Sequence, residues 1–494
     1  MANDIITASE GPDSQEAFSR FTQGILYSDR KDEEPALFSF AETGPPSEND
    51  LLPDEEFDSF PKPSLFKNAY EYDVAVIGGG PAGYTAAVQA VKLGAKTILF
   101  ERDMLGGAAA GDCSVLNLGK ILSHKNSVAT HLTTNIARLL RSYRVRVEAG
   151  EAKLRTAHEI LCRGKSYSVS KVILCGGLTS VRPDVPGSDH KGVWTLNDAL
   201  KAVDAPSRLM VLGGGNIGCE IAATFAGAGS SVMLVENEQQ LLPGIDAGIA
   251  EAMKNSLTKA GVKVYTGVSV TEIKDRDGNP FVITEKGGVL CDKLLIASRQ
   301  KLDTSSLGGL EAAVRTVGDA ILVNEYLETS TEGIYAAGDC TGFCSQTHAA
   351  FRMGETAAQN AMGRKKVIDL KGSALTVLTT PGAASVGMSE EEALEKYGDA
   401  LVVGYASLAD NVQAILTGKT EGFVKVLTER KHGEILGVHI FGDEAAEMIA
   451  EPAALLRMEI TIHEVCGDII HAHPSYAEAF AAACADALNK GVGE

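Results

Sequence analysis

The sequence predicts an α/β protein built from two like strand–helix–strand units and a following α+β unit. Two observations carry this prediction. A glycine-punctuated stretch at 73–101 recurs at 209–237, and a series of strand-like runs between helices fills the chain after 371. In the first stretch, apolar Val74 to Ile77 is a short buried strand, and Gly78, Gly80 and Gly83 follow at G-x-G-x-x-G spacing, with Pro81 and Ala82 between them. A second apolar run, Thr97 to Phe100, ends in Glu101. Glycine is required where a strand turns sharply into a helix and where a pyrophosphate approaches bare backbone N–H groups. A carboxylate closing the second strand accepts hydrogen bonds from a ribose diol. Strand, glycines, helix, strand and acid in that order predict a Rossmann-like dinucleotide-binding domain.

Bulk properties bound the rest. At 494 residues the chain holds roughly three or four domains of ordinary size. A net charge of −20 argues against nucleic acid and anionic membrane as partners. No apolar run is long and glycine-free enough for a membrane span; the nearest, Val74 to Val91, is the strand–helix start just described. Nine scattered cysteines, an odd number, and no secretory leader pattern suit a reducing, cytoplasmic setting. No metal-ligand pattern stands out.

Residues 1–69 form an acidic, aromatic-containing extension. Through position 70 there are fifteen acidic against five basic residues, with seven of the 16 prolines and seven of the 15 phenylalanines. Such a segment buries too little to fold alone. It reads as a disordered tail, or as an arm that docks its phenylalanines on the core, a second subunit or another protein.

The first domain is expected over 70–190. After Glu101 come Leu105, Gly106 and Gly107, then a helix from about Leu118 to Leu140. Alternating runs over 145–174 read as a β-meander, and CGGLTSVRPDVPG (175–187) as a turn-rich crossing. The second unit, over 191–310, repeats the first: Gly213, Gly215, Gly218 and Glu236 stand 135 residues after Gly78, Gly80, Gly83 and Glu101, with Ile217 in the turn. Two such units in one chain serve electron transfer between two dinucleotides, one held and one exchanged. Glu236 bonds a free ribose 2′-hydroxyl and repels a 2′-phosphate, and NEQQLL after it offers no arginine, so the second unit favours NADH. The first is assigned to FAD. It opens the folded region, and Gly338–Asp339, delivered by the strand-like run Ile334 to Ala337, completes it from a returning segment at 311–370. Residues 371–494 form the last domain. Ser389 is an N-cap, LVVGYASL, GFVKVLTE and EILGVHIFG are three antiparallel strands, and AAEMIAEPAALLRMEI and SYAEAFAAACADAL are helices. Their apolar periodicity suggests an oligomer interface.

The two units, the Gly338–Asp339 pair and the C-terminal H-A-H-P-S-Y-A-E together resemble the class I FAD- and NAD(P)-dependent pyridine nucleotide-disulfide oxidoreductases, the dihydrolipoamide dehydrogenase branch above all. The resemblance spans about 70–490. It implies FAD, NAD and central domains, and an interface domain that makes a homodimer. It implies that His473 and Glu478 form a dyad reaching the other subunit's active site; His471 beside them reads as a supporting residue. The chemistry stands by itself: a glutamate orients an imidazole and raises its basicity. Glu220 matches a glutamate beside flavin and nicotinamide, and Lys120 is the candidate for its lysine partner.

The departure from the pattern is at the redox centre. The family's two cysteines sit in G-G-x-C-x-N-x-G-C-x-P-S-K; here Leu105 onward reads LGGAAAGDCSVLNLGKILSHK. Counted from Gly107 without gaps, Ala109 and Ser114 stand where the cysteines belong, and Cys113 is the only thiol in the segment. Dithiol–disulfide exchange needs one sulfur to attack and one to resolve. Cys340 and Cys344, a C-x-x-x-C, are weighed as a substitute pair and set aside as incidental. Three functions are therefore in view. The first is an FAD-dependent NADH oxidoreductase passing electrons to a non-disulfide acceptor (quinone, dye, metal ion, O2 or protein). The second is a dihydrolipoamide dehydrogenase working through an unorthodox thiol. The third is a non-catalytic flavoprotein scaffold or sensor. The retained dyad favours an enzyme.

Overall fold

A computed structural model describes residues 69–107, 118–202, 204–297, 300–308, 313–343 and 346–493, with side chains at 118–128 and 300 outside the description. The acidic extension and Cys113 lie outside the described residues.

The first unit folds as the glycine pattern dictates. β1 (Tyr72–Ile77), α1 (Pro81–Lys92) and β2 (Thr97–Glu101) form a parallel βαβ with Val74 opposite Thr97 and Ile77 opposite Phe100. Alternation along β1 sorts its side chains between two cores. Val74 and Val76 pack with Leu99 under α1, while Ala75 and Ile77 pack with Ile98 and Phe100 on the other face. Full burial of a side chain such as Ile98 or Phe100 stabilises the fold by about 1.5–3 kcal/mol. The helix α2 (Leu118–Ser142) follows as expected.

The meander over 145–174 is corrected in one respect. β4 (Ala152–Thr156), β5 (Glu159–Cys162) and the first half of β6 (Lys165–Leu174) do pair antiparallel. The earlier strand β3 (Arg146–Ala149) pairs parallel with β2, and the second half of β6 pairs parallel with β1. The alternation is real, but a strand's pairing direction is not written in its own residues. β6 spans ten residues, long enough to belong to both arrangements.

The second unit is a copy. β7 (Arg208–Leu212), α3 (Asn216–Gly227) and β8 (Ser231–Val235) repeat the parallel βαβ. α4 (Ala247–Lys259), β9 (Lys263–Tyr265) and β10 (Lys293–Ile296) extend it to a sheet ordered β9–β8–β7–β10 with Val193–Trp194 at the edge. The chain then returns: β11 (Ile334–Ala336) joins the first sheet parallel to β6, and α5 (Thr347–Ala361) packs on α1. The packing is intimate, since a methyl group on Gly354 would stand 2.2 Å from the Ala82 carbonyl oxygen.

The C-terminal sheet has five strands where the sequence shows three full runs and a strand end at Ser385–Gly387. β12 (Leu375–Val377) and β13 (Gly382–Gly387) join β14 (Leu401–Ser407), β15 (Phe423–Glu429) and β16 (Ile435–Gly442) in the order β12–β13–β16–β15–β14. Gly-Ala-Ala-Ser-Val-Gly carries little β-propensity of its own; burial against β16 makes it a strand. α6 (Glu390–Tyr397) starts from Ser389 with a capping box, as expected. The helical run at 445–460 is broken into Ala445–Met448 and α7 (Ala450–Met458), and α8 (Glu478–Asn489) begins at Glu478. Among the described residues no helix is long and apolar enough to cross a membrane.

Candidate active site

The two glycine loops are built to one plan. Gly78 and Gly213 adopt φ of +104° and +110°, which only glycine takes without strain. Gly83 and Gly218 lie against the carbonyls of Gly78 and Gly213, where an added methyl would be 1.8 Å from oxygen in both units. Gly80 and Gly215 differ from these: a methyl on either meets nothing within 4 Å. Each is the N-cap of its helix, with no side chain capping the first turn. The unpaired N–H groups of a helix start and its positive dipole end therefore face open space in both units. That opening at a helix start suits the approach of an anionic group such as a dinucleotide phosphate.

Glu101 and Glu236 hold these loops. Glu101 Oε2 accepts from Gly79 N at 2.5 Å and its Oε1 from Asp103 N at 2.7 Å. Glu236 repeats both bonds, with Gly214 N at 2.6 Å and Glu238 N at 2.9 Å. Each oxygen retains acceptor capacity for a ribose diol. Burial pushes the Glu101 carboxyl above its ordinary value, against the lowering by its Asp103 and Gly79 donors.

Two other sequence-predicted residues, Gly107 and Gly338, come against the first glycine loop. Gly107 is pressed on Gly80, since a methyl on it would stand 3.3 Å from the Gly80 Cα. Gly338 is held by β11 with φ +84°, and a methyl on it would be 3.1 Å from the Ala82 side chain. Asp339 follows in a one-turn helix, and burial raises its carboxyl above the usual value. Pro81 opens α1. Ile217 is half-buried in the first turn of α3.

Glu220, also on α3, accepts from Leu378 N at 2.7 Å and so meets the start of the C-terminal sheet. Lys120 is in α2 with its side chain outside the described residues. Cys340 is buried, directs its Sγ at the carbonyls of Leu174 and Ala337, and is pushed up to about 12 by burial. Burial also holds Cys175 well above the ordinary thiol value. Thiols of this kind are inert. Among the described residues no group of three or more His, Cys, Asp and Glu is arranged to hold a metal.

The C-terminal dyad is formed. His473 Nδ1 lies 2.9 Å from Glu478 Oε1, and Glu478 Oε2 accepts from Ser475 N at 2.9 Å. The His473 hydrogen bond holds the Glu478 carboxyl below its usual value. The His473 side chain is 66% exposed. The sequence reading missed the partner of His471: its Nε2 lies 2.8 Å from Glu451 Oε1. The only signal in the sequence is an acid in the first turn of the preceding amphipathic helix.

Residues 72–354 match the family model described as pyridine nucleotide-disulphide oxidoreductase, and 373–484 match that family's dimerisation domain. The chain belongs to the pyridine nucleotide-disulphide oxidoreductase family. Its oxidoreductase members use FAD and NAD(P). The chain is 31% identical to a dihydrolipoyl dehydrogenase of Bacillus subtilis, over 82% of this chain and 96% of that one. It is 27% identical to a mercuric reductase of Bacillus cereus, over 80% of this chain and 68% of that one. Among solved structures, the Cu(II) complex of the HOCl-induced flavoprotein disulfide reductase RclA from Escherichia coli matches with a TM-score of 0.78 at 27% identity, covering 84% of this chain and 99% of that one.

Proposed function

We propose that this chain is an NADH-dependent FAD oxidoreductase that delivers electrons to an acceptor other than a disulfide. The observation that carries the reading is the thiol inventory. Between Gly107 and Lys120 there is one cysteine, Cys113, and nowhere in the chain do two cysteines stand at C-x-x-x-x-C spacing. The family's disulfide exchange needs two sulfurs. The buried Cys175 and Cys340 are poor substitutes.

The chain's own groups take the following parts. The N–H groups of Gly80, Ala82 and Gly83 hold the FAD pyrophosphate and those at Gly215 to Gly218 hold that of NADH, with Glu101 and Glu236 on the adenosine riboses and Asp339 on the flavin's ribityl region. Glu236, followed by a second acid at Glu238 and no arginine, selects NADH over NADPH. When bound, the flavin supplies the redox relay between nicotinamide and acceptor. Glu478 orients the His473 imidazole, which holds or releases the proton that accompanies reduction of the acceptor. The working form is a homodimer through residues 373–484, and His473, exposed in one chain, serves a site completed by the second. Quinones and metal ions are the acceptor classes to test first. Likeness to a mercuric reductase and to a flavoprotein disulfide reductase solved as a Cu(II) complex supports including metal ions.

A second reading, a dihydrolipoamide dehydrogenase using Cys113 alone or with a distant cysteine, is favoured by the dihydrolipoyl dehydrogenase relatives and by the retained dyad. Anaerobic titration of the FAD-loaded protein with NADH, followed by acceptor assays, separates the readings. Bleaching of the flavin with rapid quinone, dye or metal-ion turnover and no lipoamide turnover is expected, and Cys113→Ser retains it. Lipoamide-dependent NADH oxidation abolished by Cys113→Ser would replace the first reading by the second. Absence of flavin reduction by NADH would leave a non-catalytic scaffold or sensor.

A further inference from the structure

The loop that carries His473 has almost no backbone support of its own. It joins the helix Ile462–Gly467 to α8. Among the described residues, 470–475 make no backbone-to-backbone hydrogen bond. Side chains hold the loop instead. Downstream of His473 there are three ties: Ser475 N donates to Glu478 Oε2 at 2.9 Å, Asn411 Nδ2 donates to Ser475 O at 2.9 Å, and Tyr476 Oη lies 2.5 Å from Thr417 Oγ1. Upstream, among the described residues, there is one: His471 Nε2 to Glu451 Oε1 at 2.8 Å. The exposure pattern agrees. Ile470 is 96% exposed and the His473 side chain 66%, while the His471 side chain between them is only 9% exposed. The chain dips inward at His471, is fastened there to the first turn of α7, and emerges again to present His473.

We propose that the His471–Glu451 pair is a positioning device for the proton-handling dyad, the upstream anchor without which His473 does not keep its place over Glu478. The inference rests on the reading of His473 and Glu478 given above. His471 is too enclosed to meet an acceptor, so it acts through His473. A loop of this length without backbone bonds samples many conformations when one end is released, and misplacement of a catalytic group by about 1 Å costs up to a hundredfold in rate. The titratable groups around the pair are Glu451 on α7, Glu478 and buried Cys484 on α8, Cys466 on the preceding helix, and His473. His471 adds to the lowering of Glu478, after the larger effects of the His473 and Ser475 bonds, so the two histidine–carboxylate pairs share one electrostatic neighbourhood.

The test uses FAD-loaded protein with NADH and a soluble benzoquinone, together with the rate at which diethyl pyrocarbonate modifies His473, read by peptide mass spectrometry. His471→Ala and Glu451→Ala should each lower kcat about tenfold, with KM for NADH changed less than about twofold, and the double variant should be no worse than either single one. Both should change the His473 modification rate by about threefold or more, because that rate follows the ring's exposure and protonation. His471→Gln, whose amide nitrogen can occupy the place of Nε2, should restore kcat to within about threefold of the parent. Parental kcat and modification rate in His471→Ala would overturn the proposal. So would additive effects of the two single variants, or a His471→Gln variant as impaired as His471→Ala. His473→Ala is the control for the underlying reading. If that variant turns over like the parent, the dyad's role fails, while the modification rate still decides whether His471 positions the ring.

Discussion

Gly80 and Gly83 are three residues apart, and a methyl group added to them should fail for opposite reasons. On Gly83 it would stand 1.8 Å from the Gly78 carbonyl oxygen, a backbone atom that cannot yield without opening the β1–α1 turn. On Gly80 it meets no protein atom within 4 Å. Gly83→Ala should therefore prevent stable folding of the first unit. Gly80→Ala should fold with a melting temperature within about 3 °C of the parent for the FAD-free protein, yet bind FAD at least about tenfold more weakly, since the methyl occupies the pyrophosphate's place. Isothermal titration with FAD and a thermal melt of each variant separate the two effects. The distinction was only half legible in the sequence. G-x-G-x-x-G spacing marks all three glycines alike, and Glu101 and Glu236 were found because the motif fixes their distance along the chain. Glu451 was not found. Its partner is 20 residues away with no periodic relation, and a side-chain pair between separate elements leaves no trace in local spacing.

Elements meet through groups that motif reading does not single out, and the start of α4 is the strongest case. Asp246 caps that helix through Gly248 N at 2.9 Å and is 2.6 Å from the ammonium group of Lys425 on β15, which in turn is 2.8 Å from Glu390 on α6. His439 on β16 lies 3.8 Å from the same aspartate and bonds Met388 O and Ser385 Oγ. Asp246, Lys425 and His439 side chains are at most 9% exposed, so this is an ion pair withdrawn from water. Removing one partner of such a pair leaves a buried charge and costs about 3–5 kcal/mol. Lys425→Met should lower stability by that order in urea unfolding, while FAD and NADH affinities stay close to the parent because neither glycine loop is touched. The titration signs agree with each other. Burial holds His439 below its ordinary value, so the unfolded chain takes up that proton more readily and stability falls as pH drops below 6.5. Burial pushes Asp246 up, but His439 and Lys425 outweigh it and its net shift is downward, which withdraws further stability in acid. A parent protein that loses no thermal stability between pH 7 and pH 5.5 would contradict this account. The two small strands at 375–387 show the same limit of the sequence. The five-stranded sheet to which they belong exists only when β16 is beside them.

For the molecule as a whole, the direction of the carboxyl shifts sets the buried acids Glu101 and Asp339 apart from the paired ones, the dyad's Glu478 included. The described carboxyls held below their usual values, among them Asp246, Asp292, Asp303, Glu464 and Glu478, each have a cation, a histidine or backbone donors as partners. The two pushed upward by burial are Glu101, which bonds the first glycine loop through Gly79 N, and Asp339, which follows Gly338. A carboxyl whose folded value is raised gives its proton up less readily in the native state, so the fold gains stability as pH falls through that value toward the ordinary one and loses it as pH rises back through it. The paired carboxyls therefore add stability when ionised at neutral pH, whereas Glu101 and Asp339 are held ionised there at a cost. Stability given up where a ligand must be met is the usual trade at functional sites. Asp339 shows it most simply, because among the described residues only its own backbone N–H lowers it, whereas Glu101 accepts from two other residues. Asp339→Asn removes the ionisable group with little change in shape. In FAD-free protein at pH 7.5 it should raise stability by about 0.5–2 kcal/mol, with the gain shrinking as the pH is lowered and the parent Asp339 becomes protonated. The same substitution should weaken FAD binding about tenfold, because the ribityl hydroxyls lose a charged acceptor. Thermal melts of both proteins from pH 7.5 to 5, with and without FAD, give the four numbers. A variant that is less stable than the parent without FAD, or equally stable at every pH, would mean that Asp339 is a structural turn residue and that the cradle carries no strain on behalf of the flavin.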